Sequence, residues 1–451
     1  MKPFVLLALG ALVQACGGGH QETASAPPPA VPSAPAPAPA EPPAICSLTD
    51  QRESLAAYMQ QQYFWYAQLA TPDANAASMD AWFQSALFKP TDRFSYSQPT
   101  AAFDQVFRDG RRTGYGYTLV WADAAHTRLR VRNVEPLSPV ARAGLQRGDT
   151  VLSVDGYSPQ QIAAGQVPAV TTTGVARVFE VENVQGQRRT LAVDSEDFAL
   201  SPVAATAVLD ATRNGVPVKV AYLAYHQFAG YSLFELADAI FRFGQAGARE
   251  LVLDLRYNGG GSVAVSRDLA SMVGGERTAG RVFTTLRYND RQSWKNADIR
   301  FSAPDAPFAP LTGLDRVFVI ASGGTASASE LIVNGLRPFM PVILVGETTY
   351  GKPYGFAPRS YCGTTYSAVN FESVNALGAG GYTAGFAPDC AVPDDLDRQL
   401  GDPAEGRTRA VLNYVATGSC GAATSSKLAA PRAGGASTVF GETLPNQMFV
   451  E

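Results

Sequence analysis

The sequence is poor in side chains that commonly act as bases. Its 451 residues include three histidines and six lysines. The net charge of -4 provides no basic surface, which argues against a nucleic-acid partner. No stretch reaches about 18 consecutive apolar residues, so we predict no transmembrane helix. No two cysteines have CxxC spacing, so we expect no metal site, and no cofactor is expected either.

Residues 1–16 are typical of an export signal rather than of a folded element. Lys2 precedes the short apolar run "FVLLALGALVQA", and Cys16 follows that run directly. The segment "LVQAC" resembles the lipobox of bacterial lipoproteins, with Gln14 where a small residue is usual. An ordinary signal peptide cleaved nearby is the alternative. We expect a lipidated Cys16 and a bacterial periplasmic protein anchored to the outer membrane, because no retention aspartate follows the cysteine.

Export would place the remaining cysteines in an oxidising compartment, where disulfides persist. Four cysteines allow three pairings, and the sequence does not choose among them. We expect Cys362 to pair with Cys390 and Cys46 to pair with Cys420.

Composition divides the rest of the chain into several segments, as expected of a multidomain α/β protein of this length. Residues 17–45 are rich in proline and alanine and predict an extended linker. Residues 46–109 have the apolar spacing of helices. Residues 421–451 form a tail of low complexity, and the sequence leaves open whether its last part, "STVFGETLPNQMFVE", docks on the protein.

Residues 110–200 change to short strands and turns, and their order resembles a PDZ domain. Such domains bind the terminal carboxylate of a peptide through the backbone N–H groups of a glycine-rich loop, and the peptide adds as a strand. The corresponding loop here is Gly114, Tyr115, Gly116 and Tyr117, followed by "SPVARAGLQRGDTVLSVDG". A small β-domain without a ligand is the alternative.

Residues 201–420 alternate apolar strands with amphipathic helices, which predicts a mainly parallel, buried sheet. Three loops follow strands of this region, at 254–262, 323–330 and 346–355. The carboxyl ends of parallel strands meet at one edge of a sheet, where catalytic groups collect. We therefore expect the three loops to lie close together.

Each loop offers chemistry, and each also has a purely structural explanation. The glycines of "DLRYNGGGS" would let backbone N–H groups approach a developing oxyanion, or they simply form a tight turn. The loop "GGTASASE" carries the hydroxyls of Thr325, Ser327 and Ser329, of which one would be a nucleophile or a helix N-cap. Lys352 in "GETTYGKPYG" would be a neutral base if it were buried, or an ordinary surface lysine.

Together the segments "LVLDLRYNGGG", "ASGGTASASELIVNGL" and "VILVGETTYGKP" resemble the three signature segments of the C-terminal processing peptidases, also called tail-specific proteases. The resemblance spans about residues 110–415 and implies a serine peptidase with a Ser/Lys dyad. By the family pattern the nucleophile is Ser327 and the base is Lys352. The oxyanion donors implied are the N–H groups of Gly260 and Ala328, with Gly261 as the alternative to Gly260.

Together with the N-terminal signal segment, the resemblance implies an exported endopeptidase that recognises protein C-termini and cuts nearby through an acyl-enzyme. Its partners would be proteins or peptides with free C-termini. Phe356 departs from the family, because many members carry Gln or Glu there to orient the lysine; Thr325 is a candidate for that role. A Ser-His-Asp site using His226 has no supporting motif such as GxSxG. A catalytically weak PDZ scaffold and a Ser-Lys amidase acting on cell-wall peptides remain alternatives.

Overall fold

The computed structural model of the protein describes residues 46–303, 309–420, 439–442 and 447–450. The predicted signal segment, Cys16 and the Pro/Ala-rich linker lie outside the described residues. The described ranges contain the α-helices α1 Leu48–Gln62, α2 Met79–Ala86, α3 Thr100–Phe107, α4 Pro139–Arg142, α5 Pro159–Ala163, α6 Leu233–Gln245, α7 Val263–Gly274, α8 Ala328–Leu336 and α9 Gly406–Thr417. Short 3-10 helices occur at Tyr66–Gln68, Gly230–Ser232, Gly275–Arg277 and Asp290–Lys295.

The same ranges contain strands that pair into five sheets. In chain order the strands are β1 Tyr96–Pro99, β2 Arg111–Gly114, β3 Tyr117–Trp121, β4 Leu129–Val134, β5 Thr150–Val154, β6 Ala176–Glu182, β7 Arg188–Asp194, β8 Glu196–Ala199, β9 Val203–Arg213, β10 Val216–Tyr225, β11 Ala248–Asp254, β12 Gly260–Ser262, β13 Val282–Tyr288, β14 Ala297–Arg300, β15 Val317–Ala321, β16 Val342–Gly346, β17 Tyr354–Phe356, β18 Arg359–Tyr361, β19 Thr364–Ser367, β20 Val369–Val374, β21 Cys390–Ala391, β22 Val439–Gly441 and β23 Gln447–Phe449.

Residues 201–420 are organised around a six-stranded sheet in the order β21-β16-β15-β11-β10-β9. All neighbouring pairs in this sheet are parallel except β10 with β9. Successive residues of a strand face opposite sides, so Leu253 and Val319 pack with α6, α7 and α8. Val252 and Phe318 face the other side, where α9 packs. Helices therefore cover both faces, which explains the nearly continuous apolar runs of these strands.

The parallel arrangement brings the ends of three neighbouring strands to one edge of this sheet. β11 ends at Asp254, β15 ends at Ala321 and β16 ends at Gly346. In the register of the sheet, Asp254 is opposite Ile320, and Ala321 is opposite Gly346. The three loops that carry the sequence motifs therefore start from adjacent positions.

The N-terminal region contains α1, α2 and α3 but is not wholly helical. β1 pairs antiparallel with β19, a strand more than 260 residues further along the chain, in the sheet β1-β19-β18. Aromatic side chains join the helices to this sheet, with the rings of Phe83 and Tyr366 centred 5.4 Å apart. A strand whose partner is so distant has no local signal that would have separated it from a helix.

Residues 110–200 form most of a sheet in the order β22-β3-β4-β5-β6-β7, beside the two-stranded pair β2-β8. Within this region β6 and β7 form an antiparallel hairpin, with Arg177 opposite Val193. The short helix α4 begins after Ser138, whose Oγ accepts a hydrogen bond from the N–H of Ala141. The edge strand β22 comes from the C-terminal tail and pairs antiparallel with β3.

The tail also supplies a strand to a second six-stranded sheet, β12-β23-β17-β20-β13-β14. β23 lies between β12 and β17 and runs parallel to both. The last part of the tail, which the sequence left undecided, therefore docks at two places on the protein.

The disulfide pairing expected from the sequence is wrong. Cys46 is bonded to Cys362, and Cys390 is bonded to Cys420. The first bond joins the start of the N-terminal region to the turn between β18 and β19. The second joins β21 to the end of α9, which packs on the central sheet. These neighbours are set by tertiary packing, which cysteine spacing does not reveal.

Candidate active site

Ser327 occupies a strained position directly before α8. Its φ of 59° and ψ of -116° lie in a region that residues with a side chain rarely adopt. Such strain is concentrated at functional sites, where the surrounding structure holds it in place. The side chain is buried, and its Oγ makes no hydrogen bond with any residue of the described ranges, Lys352 included.

The other two hydroxyls of this loop have structural partners. Thr325 Oγ1 donates to the carbonyl of Leu255 at 2.7 Å and accepts from the N–H of Ser322 at 2.9 Å. Ser329 Oγ donates to the carbonyl of Asn258 at 2.9 Å. Both hydroxyls fasten the nucleophile loop to the glycine loop. Whether Thr325 also orients the lysine stays a prediction.

Lys352 is buried, with 1% of its surface exposed. Burial lowers the pKa of its amine from 10.5 to about 7, an effect that the charges of Asp92 and Glu330 partly oppose. Its Nζ lies 4.0 Å from the centre of the Phe356 ring. The residue that departs from the family pattern is thus an aromatic contact of the lysine rather than a polar partner.

Glu330 connects the nucleophile loop to the lysine loop, and sequence reasoning assigned it no role. One carboxylate oxygen accepts from the N–H groups of Ser327 at 3.0 Å and Lys352 at 2.8 Å. The other accepts from the hydroxyl of Thr349 at 2.5 Å and the N–H of Gly351 at 2.7 Å. Burial raises the pKa of this carboxyl, while its four hydrogen bonds act in the opposite direction. The signal in the sequence was the Ser-x-x-Glu spacing of a capping box.

The N–H groups of Gly260 and Gly261 point to opposite sides of the glycine loop. The N–H of Gly260, an expected oxyanion donor, donates to Oδ1 of Asn258 at 2.8 Å and is therefore already paired in the structure. Phe228 exchanges hydrogen bonds with the carbonyl of Gly260 and the N–H of Ser262. Because backbone groups alternate along a strand, the N–H of Gly261 points to the opposite side, toward β23. A Cβ at Gly261 would lie 2.0 Å from the carbonyl oxygen of Phe228, so only glycine fits there.

Ala328, the other expected donor, is the first residue of α8. An N–H at this position has no acceptor within its own helix. It follows Ser327 directly, so the positive end of α8 lies at the candidate nucleophile.

The loop Gly114–Tyr117 holds a carboxylate of the protein itself. The N–H groups of Tyr115 and Gly116 donate to the two carboxylate oxygens of Glu442, at 2.6 and 2.9 Å. Nε of Arg112 lies 3.4 Å from the same carboxylate. The φ of Gly114 is 151°, a backbone conformation that favours glycine. Tyr117 contributes its carbonyl, which accepts from the N–H of Glu442 at 3.0 Å.

His226 lacks the contacts that a Ser-His-Asp site requires. Neither ring nitrogen makes a hydrogen bond within the described part of the chain, so no carboxylate orients the imidazole. Its ring lies beside Tyr257, with centres 6.1 Å apart. Burial lowers the pKa of His226 to about 4, and the nearby charges of Arg132 and Arg147 act in the same direction.

Comparison with known proteins agrees with the three motifs. A family model described as peptidase family S41 matches residues 219–389. The carboxyl-terminal-processing protease of Synechocystis sp. is 33% identical over 221 residues, covering 48% of this chain and 47% of that protein. The chloroplastic carboxyl-terminal-processing peptidase 1 of Arabidopsis thaliana is 28% identical over 248 residues, covering 53% and 47%. The predicted resemblance to the C-terminal processing peptidases is therefore confirmed.

The comparisons also show how much of each relative the chain covers and which solved structure has the same fold. The chain spans about half the length of the curated relatives that it matches. A protein of Bacteroides fragilis assigned to the S41 proteases has the same fold, with a TM-score of 0.64 and 24% identity, covering 80% of this chain and 96% of that one. Across the ranges that the structure describes, no helix is both long and apolar enough to cross a membrane.

Proposed function

We propose that this chain is an exported serine endopeptidase that cuts near the C-termini of protein substrates with a Ser327/Lys352 dyad. The observation that carries the proposal is the buried carboxylate of Glu330, which accepts the backbone N–H groups of both residues. One side chain thereby fixes the nucleophile loop relative to the lysine loop. The strained backbone of Ser327 and the lowered pKa of Lys352 support the same roles.

The proposed reaction begins with the neutral amine of Lys352, which takes the proton of the Ser327 hydroxyl. Ser327 Oγ then attacks the peptide carbonyl carbon, and the carbonyl π electrons move to the oxygen. The protonated lysine gives its proton to the leaving amine as the peptide bond breaks. Lys352 next takes a proton from water, the resulting hydroxide attacks the acyl-enzyme, and the proton returns to Ser327 as the acid product leaves.

The oxyanion of each tetrahedral intermediate needs donors fixed in place before the reaction. We assign this role to the N–H groups of Ala328 and Gly261. Ala328 is favoured because it begins α8 next to the nucleophile. Gly261 is favoured over Gly260 because Asn258 already holds the Gly260 N–H.

Residues 110–200 would act as a PDZ domain that captures the C-terminus of a substrate. Two backbone N–H groups and Arg112 already bind a carboxylate there, and an extended segment lies antiparallel on the neighbouring strand β3. Both features match the way PDZ domains bind peptides. The two disulfides support an exported protein, since such bonds persist in oxidising compartments. Lipidation of Cys16 and outer-membrane attachment stay predictions.

The proposal is tested with a fluorophosphonate probe that reacts with activated serines. Wild type should gain one probe mass, Ser327→Ala should gain none, and Ser329→Ala should still be labelled, because its hydroxyl is not the nucleophile. Wild type should also hydrolyse an unfolded protein, which Ser327→Ala and Lys352→Met should not. A folded wild type and a folded chain lacking residues 439–451 that both take no probe and cleave no unfolded protein would instead support the non-catalytic scaffold.

A further inference from the structure

The C-terminal tail of this chain occupies both places where a substrate peptide would bind. Its first strand, β22, extends the sheet of residues 110–200 at the β3 edge. Its second strand, β23, lies between the glycine-loop strand β12 and the strand β17 that follows Lys352. We propose that this tail is an intramolecular peptide ligand that keeps the peptidase closed until a substrate displaces it. The inference rests on the proposed function for its consequence, but the docking itself can be measured without catalysis.

At the first place, Glu442 takes the position of a peptide's terminal carboxylate. Both of its oxygens accept backbone N–H groups of the loop, and Arg112 adds a positive charge. Two residues earlier, Phe440 packs against the core of residues 110–200, and the centre of its ring lies 6.0 Å from the centre of the Trp121 ring. The site thus takes an extended segment with an aromatic residue two positions before a carboxylate. A competing substrate tail should share this pattern.

At the second place, β23 fills a slot one strand wide. Neighbouring strands are about 4.8 Å apart, so β12 and β17 stand about 10 Å apart with β23 between them. Met448 is fully buried, and Phe449 packs on Phe107 with ring centres 5.5 Å apart. The N–H of Val450 donates to the carbonyl of Phe356 at 3.0 Å. The slot therefore binds an extended chain with large apolar side chains.

The tail cannot be bound as a substrate would be bound. It passes from the carboxylate loop at Glu442 to the slot at Gln447 in the N-to-C direction, over at most about 18 Å of chain. A substrate whose terminal carboxylate sits in the loop has no residues beyond it, so it cannot take this path. While the tail is in place, Ser327 Oγ makes no hydrogen bond with Lys352 or with any other described residue. The bound tail is thus a blocking ligand rather than a poised substrate.

The covalent connection makes the tail a strong competitor. Eighteen residues separate Cys420, which is fixed to Cys390, from Val439. A tethered ligand of this kind has an effective concentration on the order of millimolar, so a free peptide must exceed that competition. Removing the tail should accordingly expose both sites at once.

Docking is measured with a fluorescein-labelled peptide of the tail sequence, "VFGETLPNQMFVE", on proteins carrying Ser327→Ala. A chain truncated after Thr438 should bind this peptide at least tenfold more tightly than the full-length chain, because no tail competes. The full-length chain with Glu442→Gln should bind it with intermediate affinity. Glu53→Gln, the same change on an exposed face of α1, is the matched control and should leave the affinity unchanged.

Activity is measured on an unfolded protein with Ser327 intact. The truncated chain should have at least tenfold higher kcat/KM than the full-length chain, and the tail peptide added in trans should reverse the gain. Met448→Asp in the full-length chain should also raise kcat/KM, which keeps the test valid if the truncated chain does not fold.

The outcomes separate this inference from the proposed function. Full-length and truncated chains that cleave equally well, with no binding of the peptide, would overturn the closed state and leave the peptidase intact. Peptide binding by a truncated chain that neither cleaves nor takes a serine probe would support docking and refute the peptidase. Specific activity of the full-length chain that rises on dilution would overturn the intramolecular arrangement, because the tail of another copy would then be the ligand.

Discussion

If Lys352 is the base, its protonation should set the lower limb of the pH profile of kcat. Its buried amine has a pKa of about 7, compared with 10.5 for an unperturbed lysine. At pH 7 about half of the amines are then neutral, whereas an unshifted lysine would be neutral in roughly one molecule in 3000. Burial therefore increases the population of the base roughly 1500-fold, equivalent to a preference for the neutral form of about 4 kcal/mol.

The direction in which kcat changes with pH follows from which protonation form of the Lys352 amine reacts. Only the neutral amine can accept the serine proton, so kcat should rise tenfold per pH unit below 7 and level off above it. We use kcat because it reports the protonation of the enzyme–substrate complex. Asp92 raises the pKa of Lys352, so Asp92→Asn should move the limb to lower pH. Asp73→Asn, at an exposed position, is the matched control and should not move it.

The assay is steady-state hydrolysis of an unfolded protein by the truncated chain between pH 4 and pH 10. A limb near pH 4 would instead match the pKa of His226 and would refute the lysine mechanism. A limb above pH 9 would show that burial does not lower the pKa of the Lys352 amine.

Three substitutions test the rest of the site. Lys352→Met should abolish turnover yet raise the free energy of unfolding at pH 7 by up to about 4 kcal/mol, since the folded state then no longer buries an amine with a lowered pKa. This gain over wild type, measured by urea titration, should shrink between pH 7 and pH 10.5 as both states of the wild type lose the proton. A gain that does not change with pH would contradict the prediction. Glu330→Gln should lower kcat strongly and destabilise the protein by about 1–3 kcal/mol. In either orientation of the glutamine amide, its NH2 group faces at least one backbone N–H, so two donors meet. A variant with wild-type stability and kcat would show that the link between the two loops is dispensable. His226→Phe should change kcat less than twofold and leave its pH limb in place, and a complete loss of activity in the folded variant would restore the histidine alternative.

The local chemistry of the site was accessible from the sequence because it depends on short segments. Ser327 follows an apolar strand and starts a helix, so its position at the sheet edge was implied by pattern and by the family resemblance. The sequence left open whether Lys352 is buried or at the surface, and its low exposure appears only in the structure. Further support for Ser327 over Thr325 and Ser329 comes from hydrogen bonds of the latter two to residues more than 60 positions away, which the sequence does not reveal.

Features that depend on distant partners were not accessible in this way. The pairing of Cys46 with Cys362 spans 316 positions, and no spacing rule connects them. The exclusion of Gly260 depends on the rotamer of Asn258. Glu442 gave no signal in the tail because its partners are backbone N–H groups more than 320 residues earlier. Main-chain donors carry no sequence information, so such a contact can be found only in three dimensions.

The slot between β12 and β17 has a consequence for how this protein would distinguish one polypeptide from another. The slot is bounded by two strand edges, which bind a peptide chiefly through main-chain hydrogen bonds. Every residue except proline can form such bonds to both edges. A helix cannot enter, because its own backbone groups are already paired and it is about 10 Å wide. Binding in the slot thus depends on the conformation of a chain before it depends on the sequence. A well-folded terminus would not bind, whatever its residues, and the same terminus would bind once it unfolds locally.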